Sequence, residues 1–449
     1  MSFIADKQTL DDLNLLGKYK SHSIYGIFNK VRTAGGERLL ESMFQHPLTA
    51  PDEINLRSST FRYFQEKQLE FPFENNSFRQ AENYLGMGTA GNLITAGITV
   101  IRKKLSHSLL RDDQYNILHS GLLASISALN ALQKLITRIG DQGPFRDQVK
   151  KVQAILSDHR LKWLAEEAQS IQLPLIKVCR YDFLLRHTLR HEMEMILENI
   201  YLLDVYIAVG AIAREKRFSY AAALPATDNR ISVEGLRHPG LDQGVANNVS
   251  LHQDQNVLFL TGANMAGKST LMKSYGIAIY LAHMGFPVAA VNMQFAIRDG
   301  LYTSINVPDS LSLGYSHFYA EVMRVKEVAT QVSQRKNLVV IFDELFKGTN
   351  VKDAYDATLA VTAAFSQYRN SFFIISTHII EVGETLRQQC NNLRFVFLPT
   401  VMDGTVPRYT YQLEPGITTD RHGMMIIENE GILEIIMSSK NDLIPQTCK

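Results

Sequence analysis

One short segment constrains the fold of this chain more than any other feature of its sequence. Residues 257–270 read VLFLTGANMAGKST, an apolar run that leads into a turn framed by two glycines. After this turn, apolar residues recur at Leu271, Tyr275, Ala278 and Ile279, which is the spacing of a buried helix face. A strand, a glycine-rich loop and a helix in that order predict an α/β unit built on a parallel sheet.

The loop itself has the G-x-x-x-x-G-K-[ST] pattern of a phosphate-binding loop. Two glycines let the backbone curl so that its N–H groups point at a triphosphate, and the helix that follows adds its positive dipole end. Lys268 supplies a charge for the β- and γ-phosphates, and Ser269 supplies a hydroxyl ligand for Mg²⁺. A chance match would lack the flanking strand and helix. The predicted nucleotide-binding residues are Gly262, Ala263, Asn264, Met265, Ala266, Gly267, Lys268, Ser269 and Thr270.

A second apolar run, Leu338–Phe342, ends in two adjacent carboxylates, Asp343 and Glu344. Five apolar residues in succession are typical of a strand buried on both faces of a parallel sheet. Because side chains alternate along a strand, we expect the two carboxylates to point to different sides. Asp343 would hold the Mg²⁺ shell, and Glu344 would polarise the attacking water.

A third apolar run, Phe372–Ser376, leads to Thr377 and His378. An imidazole at this strand end could sense the γ-phosphate of a bound nucleotide. A lone histidine at a strand end is more often a hydrogen-bonded structural residue. The sequence leaves both interpretations of His378 open.

Residues 309–321 read DSLSLGYSHFYAE, a loop rich in serine and glycine that opens a helix. Together with GANMAGKST, DELFKGTN and STH, in this order and at this spacing, the segment resembles the motifs of the MutS family of DNA mismatch-repair ATPases. The resemblance implies ATP hydrolysis with ATP and Mg²⁺ as cofactors. Ser269 and Asp343 would be the metal ligands, and Glu344 and His378 would take part in catalysis.

The resemblance also implies a homodimer with composite active sites. In this family the serine at a helix N-terminus, here Ser316, is offered to the γ-phosphate held by the opposite subunit, and we count it among the catalytic residues. His317 stands where the family has threonine, and Tyr315 replaces a residue that is often basic. A third departure is Gly244, which aligns with the aromatic residue that stacks on adenine. We expect weaker base selectivity, or another residue that does the stacking.

Outside the ATPase motifs, residues 33–40 (TAGGERLL) resemble the start of the family's helical core domain, and residues 237–239 (RHP) resemble the entry to its ATPase domain. We therefore predict an α/β P-loop ATPase of the ABC type, similar to MutS domain V, preceded by an all-α core and lever domain. The predicted domains are residues 1–225 and residues 226–449, and the second also carries dimerisation elements.

We expect a short form that lacks the family's mismatch-recognition and connector domains, with a core too short for the DNA-gripping clamp. Within the first predicted domain, the family's mismatch-reading triplet, Phe-x-Glu, occurs at Phe64, Gln65 and Glu66. Three-residue matches are abundant, and this one lies in a polar, helix-like stretch. We interpret it as a coincidence.

Two long apolar patterns predict helices in the first domain. One runs from Ile117 to Ile136, and the other from Leu185 to Ile207, both with steps of three and four residues. No proline occurs between Pro174 and Pro225, so the second helix could continue from about Tyr181 to Arg217 and span about 50 Å at ~1.5 Å per residue. Such a rod could act as a lever, or simply be a bundle helix.

Charge and composition say little about partners. The net charge is only +1, far from the basic surface of a tight phosphate binder. Basic clusters at residues 102–104 and at Arg186, His187, Arg190 and His191 are more often solvated surface. DNA, and possibly other repair proteins, are therefore partners implied by the resemblance alone. The alternative is a nucleotide-switched protein scaffold that binds no DNA.

Compartment and membrane association follow from simpler observations. The chain has three scattered cysteines, an N-terminus without a basic-then-apolar signal, and no uninterrupted apolar run of membrane length. We expect a cytoplasmic protein without a membrane partner.

Overall fold

The structure, a computed structural model, describes residues 3–17, 23–87, 93–110, 113–305, 317–403, 406–418, 431–432 and 434–436. It divides into two compact units. The sheet unit comprises Met1–Ile24, His46–Asn55 and Phe218–Lys449, and the helical unit comprises Tyr25–Gln45 and Leu56–Arg217.

Fifteen strands lie among the described residues, all in the sheet unit. They are β1 (Ile4–Ala5), β2 (Ser219–Tyr220), β3 (Ala222–Leu224), β4 (Arg230–Leu236), β5 (Asn247–His252), β6 (Val257–Gly262), β7 (Pro287–Val288), β8 (Asn292–Ala296), β9 (Gly300–Ser304), β10 (Leu338–Phe342), β11 (Phe372–Ser376), β12 (Leu393–Leu398), β13 (Thr400–Asp403), β14 (Val406–Tyr409) and β15 (Glu414–Pro415).

The α-helices alternate with these strands in the sheet unit and make up most of the helical unit. They are α1 (Lys7–Asp12), α2 (Ile24–Phe28), α3 (Ala34–Gln45), α4 (Pro51–Lys67), α5 (Asn75–Gly86), α6 (Leu93–Leu110), α7 (Gln114–Ile139), α8 (Arg146–Leu156), α9 (Leu175–Phe183), α10 (Arg190–Glu215), α11 (Lys268–His283), α12 (His317–Ser333), α13 (Val351–Ser366) and α14 (Ile380–Gln389).

The central sheet has seven strands in the order β1-β9-β10-β11-β6-β12-β15, and every pairing is parallel except that of β12 with β15. Every residue of β6, β10 and β11 is buried, which confirms the prediction from their apolar runs. Because parallel strands end at the same edge, the residues that follow β6, β9, β10 and β11 meet there. A four-stranded sheet, β3-β8-β4-β5, and the pairs β2-β7 and β13-β14 complete the unit.

The division into units differs from the predicted boundary at residue 225. The sheet unit starts at Phe218, because β2 and β3 already pair with β7 and β8. It also includes the start of the chain, since β1 pairs with β9 and places Ile4 opposite Gly300. A Cβ atom at Gly300 would lie 2.7 Å from the Ile4 carbonyl oxygen, so glycine makes room for this edge strand. A two-residue strand gives no periodicity that a sequence could reveal.

The helical unit has no strand among its described residues, as predicted. Of the first apolar pattern, the residues from Leu118 to Ile136 point into the core, but Ile117 is 55% exposed. Phe64 is buried and stacks on Tyr206, with ring centroids 5.6 Å apart. A buried core ring cannot act as a wedge, which supports the interpretation of the Phe64 triplet as a coincidence.

The predicted continuous helix from Tyr181 to Arg217 is interrupted. A π-helical turn at Leu184–Thr188 separates α9 from α10, and the Leu189 N–H bonds to the Leu184 carbonyl, five residues back. Successive buried residues lie four apart here, which would rotate the apolar face by about 40° per step in a regular α-helix. The wider π-helical turn compensates for this rotation of the apolar face. The remaining helix, α10, has 26 residues and a length of roughly 39 Å.

Arg186, expected on an exposed basic face, is buried and forms an ion pair with Asp182 at 2.6 Å.

Helix α10 is long and apolar enough to cross a membrane, but 61% of its most apolar window is buried inside the protein. A buried core helix can also be this long and this apolar, so α10 is only weak evidence for a membrane span.

Candidate functional site

The loop between β6 and α11 curls around its own lysine. Gly262, Met265 and Gly267 have φ values of 146°, 69° and 98°. The Lys268 Nζ atom donates to the carbonyl oxygens of Gly262 at 2.9 Å and Ala263 at 3.1 Å. Burial lowers the pKa of Lys268, and the carboxylates of Glu344 and Asp343 oppose that shift. A buried ammonium group that faces carbonyl oxygens is prepared to receive an anionic ligand.

Each of the two glycines in the G-x-x-x-x-G pattern has its own steric reason. A Cβ atom at Gly262 would lie 3.2 Å from the Leu398 carbonyl oxygen, and one at Gly267 would lie 3.0 Å from the Tyr411 ring. Both residues also have left-handed φ values, which side chains rarely adopt. The tight curl of the loop therefore depends on glycine at both positions.

Asp343 joins the loop to the strand ends. Its Oδ2 atom accepts a hydrogen bond from the Ser269 hydroxyl at 2.5 Å, and its Oδ1 atom accepts one from the Ser376 hydroxyl. Hydroxyl and carboxylate oxygens are the ligands that Mg²⁺ prefers. Across the described residues, no group of three or more His, Cys, Asp or Glu side chains could hold a metal. The Ser269 hydroxyl and the Asp343 carboxylate offer two oxygens of this kind, and an ion held by them would take its other ligands from phosphate and water.

The Glu344 carboxylate contacts a different side chain from the Asp343 carboxylate, but strand alternation is not the cause. Strand β10 ends at Phe342, and Glu344 has a left-handed φ of 56°. Its N–H donates to the Ser376 carbonyl oxygen at 3.2 Å, and its carboxylate bonds to His378 Nε2. Strained backbone of this kind persists where the surrounding structure holds it, often at functional sites.

The bond to His378 also sets the charge state of Glu344. This hydrogen bond, aided by nearby cationic groups, holds the pKa of the Glu344 carboxyl below its usual value despite partial burial. The carboxylate is therefore ionised at neutral pH and is able to accept a proton. His378 bonds directly to Glu344, which places its imidazole beside the predicted base.

A cavity of about 490 Å³ lies beside the loop. Its walls include Gly244, Met265 and Gly267, together with the half-exposed ring of Tyr411. Asn247 fixes the Tyr411 segment, because its side chain donates to the Tyr411 carbonyl at 2.9 Å and accepts from the Leu413 N–H at 2.7 Å. An aromatic ring thus stands in the cavity that Gly244 borders.

Most of the predicted site residues lie together at one sheet edge. Lys268, Ser269, Asp343, Glu344 and His378 are linked by the contacts above, and the other predicted nucleotide-binding residues form the loop itself. Ser316 lies outside the described residues. Sequence reasoning did not single out two contributors, the Ser376 hydroxyl and the Tyr411 ring. Ser376 ends a predicted strand and could have been found; Tyr411 follows a short hairpin with no motif around it.

Comparison with known protein families gives two matches. The model of MutS domain III matches residues 8–209, and the model of MutS domain V matches residues 258–446. The two matches correspond largely to the helical unit and the sheet unit.

Three curated relatives are all described as DNA mismatch repair protein MutS. The protein from Streptococcus sanguinis (strain SK36) is 25% identical over 259 residues, which cover 56% of this chain and 30% of the relative. The protein from Geobacillus thermodenitrificans (strain NG80-2) is 30% identical over 223 residues, covering 46% and 24%. The protein from Petrotoga mobilis (strain DSM 10674 / SJ95) is 27% identical over 313 residues, covering 66% and 38%. The chain thus spans well under half the length of these relatives.

Proposed function

This chain belongs to the MutS family, and from that membership we propose that it is an ATPase that works as a homodimer on DNA in mismatch repair or recombination. The observation that carries the proposal is the convergence of three elements at one sheet edge: the curled loop with Lys268, the Ser269 and Asp343 pair, and the Glu344 and His378 pair. These are the parts that hydrolysis of a nucleoside triphosphate requires.

Binding of ATP rests on the loop. Its N–H groups and the start of α11 face the phosphates, and the Lys268 ammonium group exchanges carbonyl oxygens for β- and γ-phosphate oxygens. Ser269 and Asp343 would hold Mg²⁺, which would supply positive charge to offset the negative charge that develops during hydrolysis.

Hydrolysis rests on Glu344. Its ionised carboxylate polarises the attacking water and accepts the proton that this water loses. In this proposal His378 orients the carboxylate through its hydrogen bond and responds to the γ-phosphate. Ser316 of the partner subunit completes the site by donating to the γ-phosphate, so that hydrolysis requires the dimer.

We further propose that Tyr411 stacks on the base of the nucleotide in place of the aromatic residue missing at Gly244. Tyr411→Ala is expected to weaken ATP binding by about tenfold or more, because stacking of a base on an aromatic ring contributes roughly 1–3 kcal/mol. Tyr411→Phe keeps the ring and should bind ATP as the parent does. Titration calorimetry with Mg²⁺ and ATP measures both affinities.

Inorganic tripolyphosphate is the control ligand for Tyr411, since it has phosphates but no base. Its affinity should be unchanged in Tyr411→Ala. Equal losses for ATP and tripolyphosphate would mean that Tyr411 acts through its position beside Gly267 in the phosphate loop and makes no contact with the base.

The names of the curated relatives favour DNA as a partner over the alternative of a protein scaffold that binds no DNA. The net charge of +1 indicates modest, salt-sensitive contacts, chiefly with phosphates. Other repair proteins are further candidate partners. A cytoplasmic location is part of the same proposal.

We expect this chain to show little preference between a fully paired duplex and one with a single G·T mispair. The matched regions are domains III and V, and phosphate contacts carry no base identity, although they respond to DNA shape. Fluorescence anisotropy with two labelled duplexes that differ at one pair, with and without ATP, gives the test. A preference for the mispair above about tenfold, or ~1.4 kcal/mol, would contradict the prediction. Raising the salt concentration should weaken both complexes equally.

A further inference from the structure

One buried hydroxyl group contacts both of the acidic residues that follow β10. It belongs to Ser376, the last residue of β11, whose side chain is fully buried. Phe342 lies opposite Ile375 in the register of the two strands. The next residues along, Asp343 and Ser376, are therefore neighbours at the strand ends. A buried hydroxyl group costs free energy unless it finds hydrogen-bond partners, so its contacts decide what it does there.

The Ser376 hydroxyl group has one partner as a donor and one as an acceptor. Its Oγ atom donates to the Asp343 Oδ1 atom, and it accepts a hydrogen bond from the Glu344 N–H at 3.2 Å. Because a hydroxyl group carries a single hydrogen, the carboxylate and the N–H group together fix its orientation. The hydroxyl group therefore links the predicted metal ligand to the backbone of the predicted base.

Both oxygen atoms of the Asp343 carboxylate accept hydrogen bonds from serine. Ser269 donates to Oδ2 at 2.5 Å, and Ser376 donates to Oδ1. The two serines differ in burial, because Ser269 is exposed at the start of α11 whereas Ser376 is fully buried. Ser269 is itself a predicted metal ligand. Ser376 thus has the position of an outer partner, which orients a ligand and makes no bond to the ion.

We propose that Ser376 is a positioning residue whose hydroxyl group holds the Asp343 carboxylate in the orientation that binds Mg²⁺. Loss of an outer hydrogen bond of this kind typically weakens metal binding by about tenfold or more. The inference rests on the proposed function, since it assumes a metal site at Ser269 and Asp343.

A competing explanation is that Ser376 acts on Glu344 instead. The Glu344 N–H donates to the Ser376 carbonyl oxygen as well as to the hydroxyl group, at 3.2 Å in both cases. The carbonyl group belongs to the backbone, so it remains in every variant of Ser376 and continues to hold Glu344. Loss of the hydroxyl group should therefore weaken metal binding and leave hydrolysis nearly unchanged once metal is in excess. An effect through Glu344 would lower hydrolysis at every metal concentration.

Ser376→Ala removes the donor to Asp343. The free Mg²⁺ concentration for half-maximal binding of a non-hydrolysable ATP analogue is expected to rise about tenfold. At saturating Mg²⁺, kcat for ATP should stay within about threefold of the parent value. Ser376→Cys keeps the approximate size of the side chain and a weaker S–H donor, so its Mg²⁺ requirement should lie between those of the parent and Ser376→Ala. Electron paramagnetic resonance of Mn²⁺ bound with the same analogue measures metal affinity without turnover.

Ser366→Ala is the matched control, because Ser366 is another fully buried serine of the sheet unit. Its hydroxyl group, at the end of α13, donates to the Ala363 carbonyl oxygen at 2.8 Å. This variant should keep the parent Mg²⁺ requirement. Thermal unfolding monitors folding, and if Ser376→Ala did not fold, Ser376→Cys would carry the test. A folded variant of Ser376 with the parent Mg²⁺ requirement would overturn the proposal, whether or not its kcat had fallen.

Asp343→Ala separates this inference from the proposed function. It removes a metal ligand outright, so it should raise the Mg²⁺ requirement far more than Ser376→Ala does. If Asp343→Ala has this effect and Ser376→Ala has none, the metal site stands and the positioning role alone fails. An unchanged Mg²⁺ requirement in a folded Asp343→Ala protein would overturn the metal site and the positioning role together.

Discussion

Replacing Glu344 with glutamine is expected to lower the turnover of ATP by about a hundredfold or more while leaving ATP affinity near that of the parent protein. The amide cannot accept a proton from water, yet it has nearly the shape of the carboxylate and can still bond to His378. Lys268→Ala removes a charge that contacts the phosphates, so it should lower both affinity and turnover. Measured affinity and phosphate release together separate the two roles.

Glu384→Gln provides the matched control, because Glu384 is an exposed carboxylate on α14 outside the site. It should bind and hydrolyse ATP as the parent does. If Glu344→Gln released phosphate at the parent rate, Glu344 would not be the base. Another group would then have to activate the water.

Mixing two inactive variants is expected to restore activity if the site is shared between subunits. Ser316→Ala keeps a complete phosphate loop, and Lys268→Ala keeps the serine, so a heterodimer of the two retains one intact site of two. With random exchange of subunits, about a quarter of the parent activity should return. Phosphate release is measured after the two proteins have been mixed and allowed to exchange.

The control for this mixture is each variant alone, taken through the same exchange. Differently sized tags and native mass spectrometry show whether heterodimers form. Heterodimers without restored activity would contradict a site shared across the dimer. Activity per subunit that stays constant when dilution converts the dimer to monomers would contradict the shared site as well.

The sequence was sufficient to predict which residues meet at this edge of the sheet because the determinants of their position are local. An apolar run with no alternation indicates a strand buried on both faces, and the residues directly after it must lie at the strand's carboxyl end. Lys268, Asp343 and His378 each follow such a run within a few residues. Parallel topology then brings them together even though more than a hundred residues separate the first from the last.

The features that sequence reasoning did not reveal depend on distant contacts. Strand β1 forms because Ile4 pairs with Gly300 on β9. The Tyr411 ring reaches the cavity because the Asn247 side chain donates a hydrogen bond to the Tyr411 carbonyl oxygen. The π-helical turn follows from a mismatch between four-residue spacing and helix pitch, a signal that was present in the sequence from Tyr181 to Met193. Arg186 lay in an apparently basic cluster, yet its i−4 neighbour Asp182 was available as a partner.

The edge strand β1 has a consequence for the order in which the chain can fold during synthesis. Its pairing partner, Gly300, leaves the ribosome almost three hundred residues later, so the first residues must wait while the helical unit, Tyr25–Gln45 and Leu56–Arg217, is made. That unit can fold as soon as it emerges, since all its segments precede Phe218. The sheet unit has contacts of very long sequence separation and must close a large loop, which makes its folding the slow step. Nascent chains should therefore gain a protected helical unit well before any nucleotide site exists.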